Sequence, residues 1–348
     1  MTRDDQSNVK GIFLHHFSVI EDSIAKTLLS ACHIKAVNEL FSLFPLGITA
    51  DFGFETRLAN PEATCDLFFM IKKEQEGVAI LAGNSHVAGL SPILLNHPFW
   101  KKLSALFKAW TDPDSILFSK LEVIWFEFDY QVTSHNLIPN LFFSIKKEDK
   151  DSALAEWDSI HRVLDEIYRL LFGIIFPEEL AGTLKQSILS LPDEARICMV
   201  GFTVPRKTEA VRVLVSGLKK DSLSDYLQSV EWHGDQDAVL KLISRYKRKF
   251  DYEVYNSHIG AVVLPILGIE MYYKELRQPT WEPRWKEAFD LLEQDELLIS
   301  PKRLGLTGFV GRKIVSGLFG LRYLTGINHL KLVYSKGLPI ECKGYFGI

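Results

Sequence analysis

The chain has 348 residues, 47% of them hydrophobic and 24% charged, with 40 Lys and Arg against 44 Asp and Glu for a net charge of −4. That length buries a large core and allows one domain or two, while the nearly balanced charge excludes general nucleic-acid binding, which needs a basic excess. No run approaches the roughly 18 apolar residues of a membrane helix, and the first ten residues are polar with no apolar signal core behind them, so a cytoplasmic protein without a membrane span is expected.

Residues 1–19 read as a flexible tail and 20–348 as a single domain. The acidic run Asp4-Asp5-Gln6-Ser7-Asn8 lies in that tail, with no helix to aim its carboxylates at one metal ion. Ile24, Leu28, Ala31, Leu40, Phe41 and Phe44 share one helical face, and Pro45 ends the run. Ile48 to Leu58 and Cys65 to Lys73 then alternate apolar and polar residues on either side of Asn60-Pro61, the pattern of an antiparallel hairpin. Pro98 opens a helix with Phe99, Leu103, Leu106, Phe107 and Trp110 at spacings of three and four.

The second hairpin is Leu121 to Tyr130 with Pro139 to Lys147. Ile124, Phe126 and Phe128 form one face of its first strand; Val123, Trp125, Glu127 and Asp129 form the other. Two helices follow, through Leu154 to Leu171 and from Pro177 through Leu180, Leu184 and Ile188. Arg196 to Val204 with Ala210 to Leu218 around Pro205 is the third hairpin, followed by helices at Ser222 to Val230 and Asp235 to Lys247. Lys247-Arg248-Lys249 reads as a solvated helix terminus. Tyr252 to Val263 with Ile266 to Lys274 around Pro265 is the fourth. After it come a helix at Trp281 to Glu293 and a Ser300-Pro301 start into a segment with Gly305, Gly308, Gly311, Gly317 and Gly320. His329 to Ser335 with Ile340 to Phe346 is the fifth hairpin, turning at Lys336-Gly337.

Five helix-helix-strand-strand repeats predict an α+β fold in which a ten-stranded antiparallel β-barrel is ringed by helices, since closure removes two exposed edges. Cys32, Cys65, Cys198 and Cys342 are far apart without a CxxC pair and read as reduced core residues. No zinc-protease, hydrolase-elbow, dinucleotide or phosphate-loop motif is present.

This repeat resembles the ABBA-type aromatic prenyltransferases, the PT barrel, over nearly the whole chain. Phe52-Gly53-Phe54-Glu55 is similar to the strand that carries a substrate-binding carboxylate in their indole branch, and Lys343-Gly344-Tyr345-Phe346 to their Lys-x-Tyr-Phe strands. The resemblance implies a prenyl diphosphate held by inward Lys and Arg, Tyr around the allylic cation, and an aromatic, amine or peptide acceptor. No cofactor is required, with Mg²⁺ a possibility at lumen carboxylates. The chain departs from the pattern in its middle strands, which lack repeated Lys-x-Tyr and Arg-x-Lys pairs, and in offering Asp66 on the strand after Glu55.

Strand parity places Arg57, Lys72, Lys146, Arg212, Lys331 and Lys343 in the lumen as diphosphate candidates, enough to neutralise a diphosphate if two or three converge. It places Asp51, Glu55, Glu127, Asp129 and Glu270 there too. Glu55 is the expected catalytic residue, orienting an acceptor N–H or taking its proton as a base near neutral pKa, against the competing role of an ion pair with Arg57. Glu127 and Glu270 are weaker versions of the same idea. Tyr272 and Tyr345 offer cation-stabilising faces and Trp125 a stacking surface, each against ordinary packing, and His329 reads as a satisfied residue near a strand end. The expected function is prenyl transfer in specialised metabolism. Its alternative is a non-catalytic small-molecule-binding barrel, an accessory protein of a biosynthetic pathway; a collapsed barrel acting through its outer helices is a third reading.

Overall fold

The computed structural model describes residues 12–45, 47–49, 51–86, 89–129, 137–146, 152–206, 210–246, 249–274, 282–314 and 322–348. Asp4 to Asn8, Tyr130, Asn136, Lys147, Lys247, Arg248, Trp281, Gly317 and Gly320, which figure in the expectations above, lie outside them.

The strands are β1 (Phe52–Arg57), β2 (Cys65–Lys72), β3 (Leu121–Phe128), β4 (Asn140–Ile145), β5 (Arg196–Phe202), β6 (Val211–Ser216), β7 (Tyr252–Ile259), β8 (Val263–Tyr272), β9 (Gly311–Ile314), β10 (Arg322–Ser335) and β11 (Glu341–Gly347). Ten of them follow one another in the order β11, β1 to β8, β10, and β10 pairs back onto β11, closing an antiparallel barrel. The five expected hairpins are its five sequence-adjacent pairs. β9 is an addition: it pairs only with the start of β10, Arg322 to Thr325, in a separate ladder.

Alternation assigns each strand a wet and a dry side, and the dry side faces outward. Phe54, Phe69, Phe126, Phe143, Val200, Ile269, Leu332 and Phe346 are fully or almost fully buried under the helices. Helix Pro98–Thr111 shows how the two layers are joined. His97 accepts a hydrogen bond at Nδ1 from the N–H of Phe99 to cap its start. Its buried indoles then donate to strand and loop carbonyls, Trp110 Nε1 to Leu121 at 3.0 Å and Trp100 Nε1 to Leu137 at 2.9 Å. The long helix Ala153–Phe172 is capped by Ser152 and ends at Gly173 in the left-handed conformation.

Three expectations change. Ile12–Glu21, which overlaps the expected tail, is a helix that buries Phe13, Phe17 and Ile20, with Phe13 and Phe17 against Phe41 and Phe52. The fourth hairpin turns at Gly260 to Val262, and Pro265 lies inside β8. The β7–β8 register shifts between Ser257 and Ile259, which leaves a place for a residue with no N–H to donate. Of the cysteines, Cys32 is exposed and Cys198 half-buried; only Cys65 and Cys342 are core, and all four are free thiols.

At the seam where the last strand meets the first, Gly53 pairs with Gly347. A Cβ on Gly347 would sit 2.3 Å from the carbonyl oxygen of Phe52 and 2.6 Å from the Cα of Gly53, backbone atoms that cannot rotate aside. Gly347→Ala is therefore expected to cost about 1–3 kcal/mol, the range for overpacking. Urea unfolding measures it, and a midpoint equal to wild type would show that the seam has room for a methyl group.

Candidate functional site

The inward face of the barrel surrounds a cavity of about 380 Å³, within the range of small-molecule sites. Strands β2 to β6 contribute Phe68, Met70, Trp125, Phe142, Met199 and Leu214; β7, β8, β10 and β11 contribute Asn256, Tyr272, Asn328, His329 and Tyr345. Glu127, Arg212 and Glu270 complete the wall. Gly201 makes room for the Phe142 ring, which a Cβ there would meet at 2.2 Å, and the Arg212 guanidinium lies over that ring at 4.5 Å.

Register builds a ladder of rings on the other side. His329 pairs with Tyr345 across β10 and β11, and Tyr272 follows Met271, which pairs with Leu330. Tyr272, His329 and Tyr345 therefore stack, with the imidazole 4.5 Å from the first ring and 3.9 Å from the second. Tyr252 extends the stack from Tyr272 at 5.0 Å.

Five lumen cations all face carboxylates. Lys343 Nζ donates to Glu55 at 2.5 Å, Lys331 to Glu270 at 3.0 Å and Lys72 to Asp51 at 3.0 Å. Arg212 lies 3.7 Å from Glu127, and Arg57 lies 3.6 Å from Asp66 and 3.1 Å from Glu341. The amide of Asn140 bridges Glu127 and Asp129. Glu270 also accepts from Tyr272 Oη at 2.8 Å and Asn256 Nδ2 at 3.2 Å, and Glu55 accepts from Tyr345 Oη.

These contacts decide ionisation. Burial alone would raise the pKa of Glu55, but the charges of Lys343 and Lys331 and two hydrogen bonds outweigh it and hold the carboxyl well below the usual range. The same balance, with Lys331 as main partner, puts Glu270 at about 2. Burial lowers Lys331 despite Glu270, whereas Glu55 lifts Lys343 above the ordinary lysine value. Burial lowers His329 to about 4, so its imidazole is neutral at physiological pH, and burial drives both Tyr272 and Tyr345 well above the ordinary phenol value.

Trp125, Glu127, Arg212, Glu270, Tyr272 and Tyr345 thus meet at the cavity wall, as parity predicts, with Glu55, Lys331 and Lys343 buried in hydrogen-bonded contact with wall residues or with one another. Arg57 and Lys72 do not line the cavity: they sit at opposite ends of their hairpin, Lys72 paired with Asp51 and Arg57 with Asp66 and with Glu341, which it shares with Lys343. Lys146 falls beyond the end of β4 and is exposed, because the strand stops one residue too early to turn it inward. Glu55 is not poised near neutral pKa, and its partners are Lys343 and Tyr345, where the sequence suggested Arg57. Asn256, Asn328 and His329 are wall residues that parity alone did not single out; Asn256 shares the inward face of β7 with Tyr252 and Val254 at a spacing of two, which is the signal that marks it. Among the described residues no group of three His, Cys, Asp or Glu side chains is arranged to hold a metal ion, and no helix is long and apolar enough to cross a membrane.

No family model matches the sequence, and no curated protein matches it. Solved structures do. The apo form of the prenyltransferase PriB superposes with a TM-score of 0.54 at 14% identity, covering 97% of this chain and 96% of its own. PriB with product diphosphate gives 0.50 at 14% identity over 97% and 96% of the two chains. Its ternary complex with L-tryptophan and dimethylallyl thiolodiphosphate gives 0.50 at 12% over 97% and 94%. The closed ten-stranded barrel, its ring of helices and this end-to-end likeness establish that the chain has the PT-barrel fold of the ABBA-type aromatic prenyltransferases.

Proposed function

We propose that the barrel moves a prenyl group from an allylic diphosphate to an aromatic or nitrogen-containing acceptor held in the lumen. The observation that carries this reading is an aromatic-walled chamber with Arg212 in its wall and two more cations just behind it, Lys331 bonded to the wall residue Glu270 and Lys343 to Glu55, which accepts from the wall residue Tyr345. Diphosphate would leave toward them, exchanging carboxylate oxygens for phosphate oxygens. The stacked rings of Tyr272 and Tyr345 would wall the allylic cation off from water while the acceptor attacks. Glu55, already ionised, would act through the Tyr345 hydroxyl, which donates to it from the chamber wall. That PriB has been crystallised with product diphosphate, and with L-tryptophan beside a thiolodiphosphate, supports the same use of a shared fold.

The pairing of those cations favours a second reading. A trianionic ligand would enter a chamber whose three cations each face a glutamate. A neutral or cationic small molecule would not have to displace them, and the non-catalytic barrel is the form of that reading.

Thermal unfolding separates the two. Dimethylallyl, geranyl and farnesyl diphosphate are each added with and without Mg²⁺, with inorganic diphosphate as control. Transfer predicts stabilisation that depends on chain length, about 2.7 kcal/mol at a hundredfold excess over Kd. No shift with any prenyl diphosphate would remove the transferase reading and leave the binding barrel.

A further inference from the structure

Glu270 and His329 stand side by side in the cavity wall with one proton missing between them. Glu270 Oε1 accepts from Lys331 Nζ at 3.0 Å and from Asn256 Nδ2 at 3.2 Å, and its Oε2 accepts from Tyr272 Oη at 2.8 Å. Oε2 also faces His329 Nε2 at 3.9 Å, beyond hydrogen-bond reach. Nδ1 of that ring lies 3.2 Å from Asn328 Oδ1 and carries the hydrogen, which leaves Nε2 with a lone pair and no partner. With the imidazole at about 4 and the carboxyl at about 2, neither is protonated at neutral pH, so two lone pairs meet across the gap. Among the described residues Lys331 is the only cation in contact with this carboxylate. Tyr272 on β8, Cys198 on β5 and Tyr345 on β11 also lie in the field of Glu270, Glu55 on β1 in that of His329, and Arg212 on β6 and Lys343 on β11 in that of Lys331.

A diphosphate drawn to Lys331 upsets this balance. Two anions then compete for one ammonium beside a carboxylate that is 5% exposed, and like charges that close cannot both stay ionised there. The phosphate oxygens keep Lys331 and have Arg212 in the same wall, whereas Glu270 is left with the neutral donors Tyr272 and Asn256. A proton on Glu270 also gains a hydrogen bond to the vacant imidazole nitrogen, which a proton on the ligand does not. We propose that Glu270 and His329 form a proton site coupled to anion binding: a diphosphate that takes Lys331 loads one solvent proton onto Glu270 Oε2, which then donates to His329 Nε2. The Nζ–H···Oε1 bond breaks, an Nζ–H···O–P bond forms, and Oε2 closes by about 1 Å on Nε2. The inference rests on the reading that a prenyl diphosphate enters this lumen, and it names how pH regulates that step. The free site is unprotonated and the occupied one protonated, so binding takes up a proton and affinity rises as pH falls.

Calorimetry of dimethylallyl, geranyl and farnesyl diphosphate in two buffers of different ionisation heat counts the protons, at about pH 8 where a phosphate group no longer titrates. Close to one proton taken up per ligand is expected, with affinity falling about tenfold from pH 7.5 to 8.5. Difference infrared spectroscopy should show the carbonyl band of a protonated carboxyl appearing with the ligand. Lys331→Met combined with Glu270→Gln removes both sides of the exchange and leaves the pair neutral; it should bind more weakly, with neither proton uptake nor the new band. Loss of all binding in that double variant would uphold the exchange at Lys331, the wild-type band then locating the proton. Binding without proton uptake, uptake without the band, which puts the proton on the ligand, or uptake and band unchanged in the double variant would each overturn the proposal and leave the transferase reading standing. No binding of any prenyl diphosphate would remove both.

Discussion

Lys331→Met is expected to destabilise the barrel by about 3–5 kcal/mol, the cost of leaving a buried charge without its partner. Lys331 and Glu270 are 4% and 5% exposed, and their contact is 3.0 Å. Methionine fills the space of the lysine stem, so the change removes the charge with little loss of packing. Glu270 would keep Tyr272 and Asn256 as donors, but those are neutral and cannot replace an ammonium. The carboxyl would answer by taking up a proton, so part of the cost should appear as a rise in its pKa. Adding Glu270→Gln removes the stranded charge and should recover most of the stability, a coupling read from urea melts of the two single variants and the double. A loss below about 1 kcal/mol for Lys331→Met alone would place the pair in a solvated lumen, where ion pairs contribute little, and would weaken the case for a closed chamber.

The fold was legible because a barrel writes itself into local alternation. Ile124, Phe126 and Phe128 against Trp125, Glu127 and Asp129 assign an outer and an inner side to β3 without any knowledge of its neighbours, and Arg212 and Glu270 obey the same rule despite register shifts nearby. What alternation cannot give is partnership across strands. Lys343 and Glu55 are 288 residues apart and meet only because the last strand closes on the first. A lysine read alone as a phosphate ligand and a glutamate read alone as a base thus turn out to hold each other. His329 shows the same limit: its surroundings are rings delivered by β8 and β11, and a single strand shows only a histidine near a lysine. Pro265 misled through a rule that is sound for regular strands and fails at a register shift. The helix at Ile12–Glu21 was missed because a short apolar segment after ten polar residues carries no strong stop or start signal.

Stability is expected to fall as pH drops from about 6.5 to 4, and His329 should account for roughly 3 kcal/mol of it. The groups facing His329 are Glu270 on β8, Lys331 on its own strand and Glu55 on β1, together with the rings of Tyr272 and Tyr345. Burial wins over the two carboxylates and lowers the imidazole to about 4 in the folded chain. In the unfolded chain it titrates near 6.5, so between these values the unfolded state binds the extra proton and protonation pulls the equilibrium toward unfolding. Below about 4 both states are protonated and this contribution is spent. His33, also at about 4, adds in the same direction and the same window. Glu270 acts lower: its folded pKa of about 2 lies under the unfolded value, so its stabilisation is complete above about 4.5 and fades toward 2. Unfolding free energies of wild type and His329→Phe from pH 7.5 to 4.5 isolate the histidine. The variant should lose up to about 1.4 kcal/mol per pH unit from the slope below pH 6, the equivalent of one proton. Equal slopes would mean that the imidazole titrates normally and that Nε2 already meets water.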